Sequence, residues 1–483
     1  MNIKNTAGFP VFLACAALLL AAVPAQAEQD EVASTARDQK GLSLTIYNND
    51  LALIKDRREI TLPAGKSTLA FREVSGRIRP ETALLSGGLD ILEQNFEYDL
   101  LTPESLLSKY VGREVSMIQR HPTTGEELPP RQALVLSAGP NGVVLKVGDR
   151  IETGISGRLV YPDVPPNLRD RPTLTMSVLS EQPGAREVEL SYLSNGLTWQ
   201  ADYVAELGSD ESQLNLKGWV SLTNESGASY TNAQLQLVAG KVHVVEDMRQ
   251  RTMEMALETR AMTAAPKQAM TEEAMFEYHL YTLERPTTIL ENQKKQVALL
   301  QADEVKSKKE FILRGSDYYY RGQADNLGER LDVGVELEVK NEKEHGLGMP
   351  IPAGVVRVYK KDSKGFLQFV GEDRIEHTPD KEIMRLRLGT AFDVTAEKKQ
   401  TNFRKISGMG PYNYNYESSY QVTIKNAKDE AVQVKVLEPI PGDWKIVSES
   451  AAHTKESAHS ASWLIDVPAK GSNTLTYTAE VRF

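Results

Sequence analysis

The chain has 483 residues, with 56 Lys and Arg against 66 Asp and Glu and a formal net charge of −10. That balance supplies no basic groove for nucleic acid. The single cysteine, Cys15, sits near the start, so the rest of the chain cannot carry a disulfide framework, a cysteine-based zinc site or a thiol nucleophile.

Residues 1–27 read as a secretory signal peptide. Lys4 is the only charge before Glu28, residues 11–23 are an apolar run of 13, and Pro24-Ala25-Gln26-Ala27 offers an Ala-x-Ala exit. The run is shorter than the ~20 apolar residues of a membrane span, so no transmembrane segment is expected in the mature chain. Cys15 lies inside the run instead of at its end, which argues against a lipid anchor. Cleavage after Ala27 would give an exported protein, periplasmic or secreted and associated with the cell envelope. Residues 28–40 read as a disordered mature N-terminus.

Beyond the leader, short runs with apolar residues at every second position predict an all-β chain of tandem β-sandwich-like modules. The first module is expected over residues 41–101. It contains Ala64-Gly65-Lys66-Ser67-Thr68, which matches the tail of a phosphate-cradling loop. Such a loop needs a glycine where Ile60 stands, and it must lead into a helix. Here Thr68 to Phe71 continue as strand. A near-copy at 467–477, with the same Pro-Ala entry and Thr-Leu exit, favours two strands joined by a glycine turn.

Residues 102–165 read as a small β-barrel. Thr102-Pro103-Glu104 can open a helix, with Thr as cap and Pro at the first position. Short strands are expected at 115–118, 134–137, 143–147 and 158–160, and the Pro-rich stretch 161–172 reads as a linker. A β-sandwich-like module then covers 166–245. Residues 246–275 hold six of the twelve methionines and are rich in Ala, Glu and Arg, which predicts a helical or disordered insert. A β-sandwich-like region fills 276–483.

One local pattern recurs four times. An alternating strand runs into Asn48, Asn224, Asn341 or Asn426. Asparagine suits the start of a turn because its side chain bonds nearby backbone.

Four strings, YLSNGLTWQADY (192–203), EYHLYTLERPTTILENQKKQVALL (277–300), VGEDRIEHTPDKE (370–382) and GTAFDVTAEKKQTNFR (389–404), resemble a bacterial family. It is the domain of unknown function 4139, which also forms the C-terminal part of mucoidy inhibitor A-like proteins. The resemblance covers roughly residues 40–483. It implies an exported or envelope-associated β-rich protein and no particular activity. The coiled-coil insertion of the mucoidy-inhibitor relatives has no counterpart here, since no heptads are sustained.

Candidate chemistry is sparse. There is no Gly-x-Ser-x-Gly elbow and no His-Glu-x-x-His. The densest polar group is Glu372, Asp373, Glu376 and His377, which could serve acid–base catalysis in an extracytoplasmic hydrolase but sits where a polar connection between strands is expected. Met253 and Met255 could offer soft sulfur ligands to copper(I). Tyr412, Tyr414 and Tyr416 would share one face of an extended segment and suit a protein or glycan partner. The sequence therefore predicts a non-catalytic envelope protein, without cofactor, that binds an envelope protein or a cell-surface glycan.

Overall fold

The computed structural model describes residues 31–483 apart from 98, 140–141, 156, 166–167, 241, 245–269, 325–326 and 407–413. The leader-like segment 1–27, expected to be a signal peptide, and Met253 and Met255 therefore lie outside the described residues. What is described is all-β. Among the described residues the one α-helix is Pro103–Lys109, opened by Thr102, whose hydroxyl accepts from the Ser105 backbone N–H while Ser105 bonds back.

Strands form four sheets of four, five, eight and thirteen members. The sheets interleave the chain instead of following it. Strand Gln39–Tyr47 pairs in parallel with Tyr230–Ala239, and Leu51–Leu62 pairs with Gly184–Ser194. Sheet pairing thus crosses the expected boundaries of the 41–101 and 166–245 modules. Gly65 begins strand Gly65–Arg72, which pairs with Thr173–Ser180; the expected strand at Thr68–Phe71 is present but starts three residues earlier, at Gly65.

Two very long strands, Gln293–Arg314 and Ile383–Ile406, tie the molecule together. Each spends one half in the middle of the chain's larger core and the other half against the C-terminal core. Gln293–Lys306 faces Gln213–Asn224, whereas Ser307–Ile312 faces Leu331–Lys340. Three apolar cores result: a large one drawing on residues 42–386, a C-terminal one on 311–481, and a small one on 110–147.

Three expectations need correction. The 102–165 region is not a barrel. Its five strands make an open sheet whose edges are Arg150–Thr153 and Arg158–Val160. Those edge strands are too short to close a ring and pair only inward. Residues 28–40 contain an ordered strand, Glu31–Ser34, laid parallel to Gly65–Arg72 and held by a two-pronged Glu31–Arg169 ion pair. The end of the supposed insert, Thr271–Met275, is a strand, because Tyr278–Thr282 supplies a hairpin partner and tertiary pairing overrides helix propensity.

The recurring asparagines act as buried turn clamps. Asn224 donates to the Ala228 and Leu290 carbonyls and accepts from Ser226 N–H. Asn426 repeats this beside the C-terminal core, donating to Glu430 and Pro468 carbonyls and accepting from Lys428 N–H. Asn341 does the same with Met349, Pro379 and Gly348. Asn48 does not share the role: its Oδ1 is buried without a partner among the described residues.

Candidate functional site

Three places collect polar or aromatic side chains. The first is a cleft of about 800 Å³ where Gln39–Tyr47, Leu51–Leu62 and the turn before Tyr230 meet. Its floor is a buried ion pair. Arg58 Nη2 lies 2.7 Å from Asp56 Oδ2, Nη1 donates to Ser34 O, and Nη2 also reaches Arg72 O. The guanidinium rests on the Phe71 ring, 3.9 Å from its centroid. Gln39 completes Asp56 by donating to its other oxygen.

The rim charges are also paired. Lys40 bonds Glu59, Glu73 bonds Arg171, Asp170 bonds Arg72, and Glu291 accepts from Gly227 N–H. Exposed Ser229, Thr231 and Asn232 complete the mouth.

The second place is an aromatic ledge at one end of the C-terminal core. Tyr414 is 48% exposed and stacks on Tyr416 at 6.1 Å with 12° between planes. Phe403 and Phe483 flank Tyr416, and Lys405 lies over Tyr414. Strand Asn415–Asn426 and the closing strand Gly471–Arg482 hold this ledge in register, with Tyr416 opposite Val481. Two of the three predicted tyrosines, Tyr414 and Tyr416, therefore do come together. Tyr412 lies outside the described residues.

The third is a buried cage that the sequence reading missed. Lys398 and Glu438 are each 1% exposed, with Nζ 2.7 Å from Oε2. Tyr477 Oη accepts from Lys398 Nζ at 3.0 Å, Tyr320 and Tyr477 hydroxyls meet at 2.8 Å, and Tyr320 donates to Glu438 Oε2 at 3.0 Å. Tyr319 and Tyr420 rings lie 4.4 and 4.8 Å from Nζ. Burial strips water from the ammonium and lowers the Lys398 pKa, against the pull of Glu438. The same burial raises the Tyr320 and Tyr477 hydroxyls well above their ordinary value. Glu438 Oε1 has no hydrogen-bond partner among the described residues. A signal existed: Val394, Ala396 and Lys398 alternate inward, as do Val432, Val434, Val436 and Glu438, so each charge sits where an apolar residue belongs.

The Glu372–His377 group lies on and after strand Leu367–Ile375, and its members turn to different partners. Glu372 pairs with Arg357, which also bonds Asp202. Asp373 accepts from the Arg374 and Arg387 backbone N–H groups. Glu376 is exposed, and His377 Nδ1 accepts from Ala353 N–H. Among the described residues no group of three or more His, Asp or Glu is placed to hold a metal ion, and no helix is long and apolar enough to cross a membrane.

Residues 188–483 match the family model described as "Domain of unknown function (DUF4139)". The chain belongs to this family. A search among curated proteins finds no match. The DUF4139 match begins at Val188, so it takes in the cage and the ledge, while the floor of the cleft comes from residues before it.

Proposed function

We propose that this chain is an exported, non-catalytic binding protein of the cell envelope whose cleft takes a neutral, hydroxyl-rich ligand of the glycan class. The leader-like first 27 residues support export. The pairing of charges around the cleft carries the ligand class. Each acid or base at its floor and rim already has a partner of its own, so an ionic ligand would have to displace one. Hydroxyl groups can instead share the open lone pairs and N–H groups of such side chains. The volume falls within the about 300–1,000 Å³ of small-ligand sites. The acids of the cleft are committed to cations or backbone N–H groups, which leaves no spare carboxyl pair for hydrolysis.

Titration calorimetry with neutral cell-wall oligosaccharides tests this. Binding should be lost, by tenfold or more, when Thr231→Trp blocks the mouth, with the unfolding midpoint unchanged. Equal binding by that variant sinks the cleft reading.

A second reading rests on the ledge. An exposed tyrosine stacked on a half-buried one, beside a lysine, offers flat area at low entropy cost to a protein partner. Tyr414→Ala should then reduce partner recovery from an envelope extract, whereas Thr231→Trp should not.

A further inference from the structure

We propose that Lys398 and Glu438 are an autocatalytic cross-linking site, in which the lysine amine and the glutamate side-chain carboxyl condense to an intramolecular amide. The geometry of the cage argues for it. The two groups are in contact at 2.7 Å, both at 1% exposure, and the carboxyl carbon is one bond beyond Oε2. Water, which would compete for the amine's lone pair and keep both groups ionised, is excluded by Tyr319, Tyr320, Tyr420, Tyr477 and Trp463. An ion pair in such surroundings gains little from charge, because desolvation offsets attraction.

The hydroxyls close a ring: Lys398 Nζ to Tyr477, Tyr477 to Tyr320, Tyr320 to Glu438 Oε2, and Oε2 back to Nζ. That ring can carry protons. A proton first passes from Nζ to Oε2, leaving a neutral amine and a neutral acid. The Nζ lone pair then attacks Cδ and forms the new C–N bond. The negative charge falls on Oε1, because Oε2 already carries the transferred proton. Nζ gives a proton to Tyr477, Tyr477 gives its own to Tyr320, and Tyr320 gives its own to Oε2. The Cδ–Oε2 bond breaks and one water leaves. No electrons change hands, so no oxidant is needed. Gly315 makes the approach possible, because a Cβ there would overlap Glu438 Oε2.

The amide would join strand Ile383–Ile406 to strand Val432–Pro439, which do not pair with one another. It would brace the C-terminal core in a chain whose one cysteine, Cys15, stands in the leader-like segment. This goes beyond the binding reading and is independent of it.

Peptide mapping of the folded full chain by mass spectrometry tests the proposal. The expected product is a single branched peptide containing 398 and 438, one water lighter than its two linear parts. Lys398→Arg should return both linear peptides in full. Tyr477→Phe keeps the ring packing but cuts the relay, and should slow linkage roughly 100-fold. Complete recovery of the linear 398 and 438 peptides from folded wild-type protein would overturn the cross-link. Unchanged linkage in Tyr477→Phe would overturn the relay.

Discussion

Asp56–Arg58 and Lys398–Glu438 are both buried charge pairs on strands, yet they differ in how far their bonding is completed. Arg58 spends its fork on a carboxylate and two backbone carbonyls, and it lies flat on an aromatic ring. Asp56 has Gln39 on its free oxygen, and both face a cleft that water can enter. Lys398 has one carboxylate oxygen and one hydroxyl, and Glu438 keeps Oε1 bare in a dry core. The planar, permanently charged guanidinium suits a finished clamp, whereas a desolvated ammonium can give up its proton and become a nucleophile. A buried pair whose bonds are all made is architecture; one left incomplete away from water holds stored reactivity.

Removing one partner separates the two most strongly. Lys398→Met leaves an unpaired carboxyl in a dry cage, which alone should cost about 3–5 kcal/mol, and removes the proposed amide as well, both read from urea unfolding. Arg58→Met leaves Asp56 bonded to Gln39 beside water, so about 2–3 kcal/mol is expected. The doubles sharpen this. Lys398→Met with Glu438→Leu should recover the part owed to the stranded carboxyl, since the Tyr320 and Tyr477 hydroxyls keep each other as partners. Arg58→Met with Asp56→Leu should recover less, because the Ser34 and Arg72 carbonyls lose their donor in either case. A costlier Arg58→Met would reverse the ranking.

The asparagine clamps extend the comparison to neutral groups. Asn224 in the larger core and Asn426 in the C-terminal core make matching bonds to the backbone two and four residues on. Replacing either by Ala strands buried carbonyls and an N–H, at about 1–3 kcal/mol each. Similar losses at both sites are expected. A much larger loss at 426 would show that the C-terminal core depends on its turn more than its counterpart does.

Local chemistry explains which of these features the sequence displays. The Thr102 cap and the two- and four-residue bonds of Asn224 and Asn426 link residues close in the chain, so their residue types announce them, whereas Asn341 bonds only to residues seven or more positions away. Alternation likewise marks the strands. The parallel docking of Glu31–Ser34 and the interleaving of residues 39–62 with 173–239 depend on partners far along the chain, and no local period encodes them. The cage is intermediate. Lys398 and Glu438 are visible as charges on inward faces, but nothing nearby says that each answers the other, or that Tyr320 and Tyr477 join them. Tyr319 and Tyr320, on the 3-10 turn Asp317–Tyr320, are buried in the C-terminal core, whereas Tyr414, just before strand Asn415–Asn426, stays exposed at its end.

The smallest expected effect concerns a third charged group, Glu480, which lies near the ledge with its oxygens on Lys445, Arg482 and Asn415. The Lys445 hydrogen bond, with help from Arg482 and Asn415 against the opposing effect of burial, brings its carboxyl down to about 2. A carboxyl depressed on folding contributes stability above its unfolded pKa, and that contribution is lost as pH falls toward the folded value. Its window is therefore roughly pH 4.5 down to 2. Lys445 and the end of Arg482 are open to water, which screens them, so Glu480→Gln should cost only about 1 kcal/mol at pH 7. The variant's stability should also change less than wild type's across that window, measured by unfolding at several acidic pH values. Parallel curves for the two proteins would mean that the acid sensitivity arises elsewhere. Since Lys398→Met removes a dry group with no water to screen it, its loss at pH 7 should exceed that of Glu480→Gln several-fold, and burial, more than ion pairing itself, would then set the cost of breaking a pair in this fold.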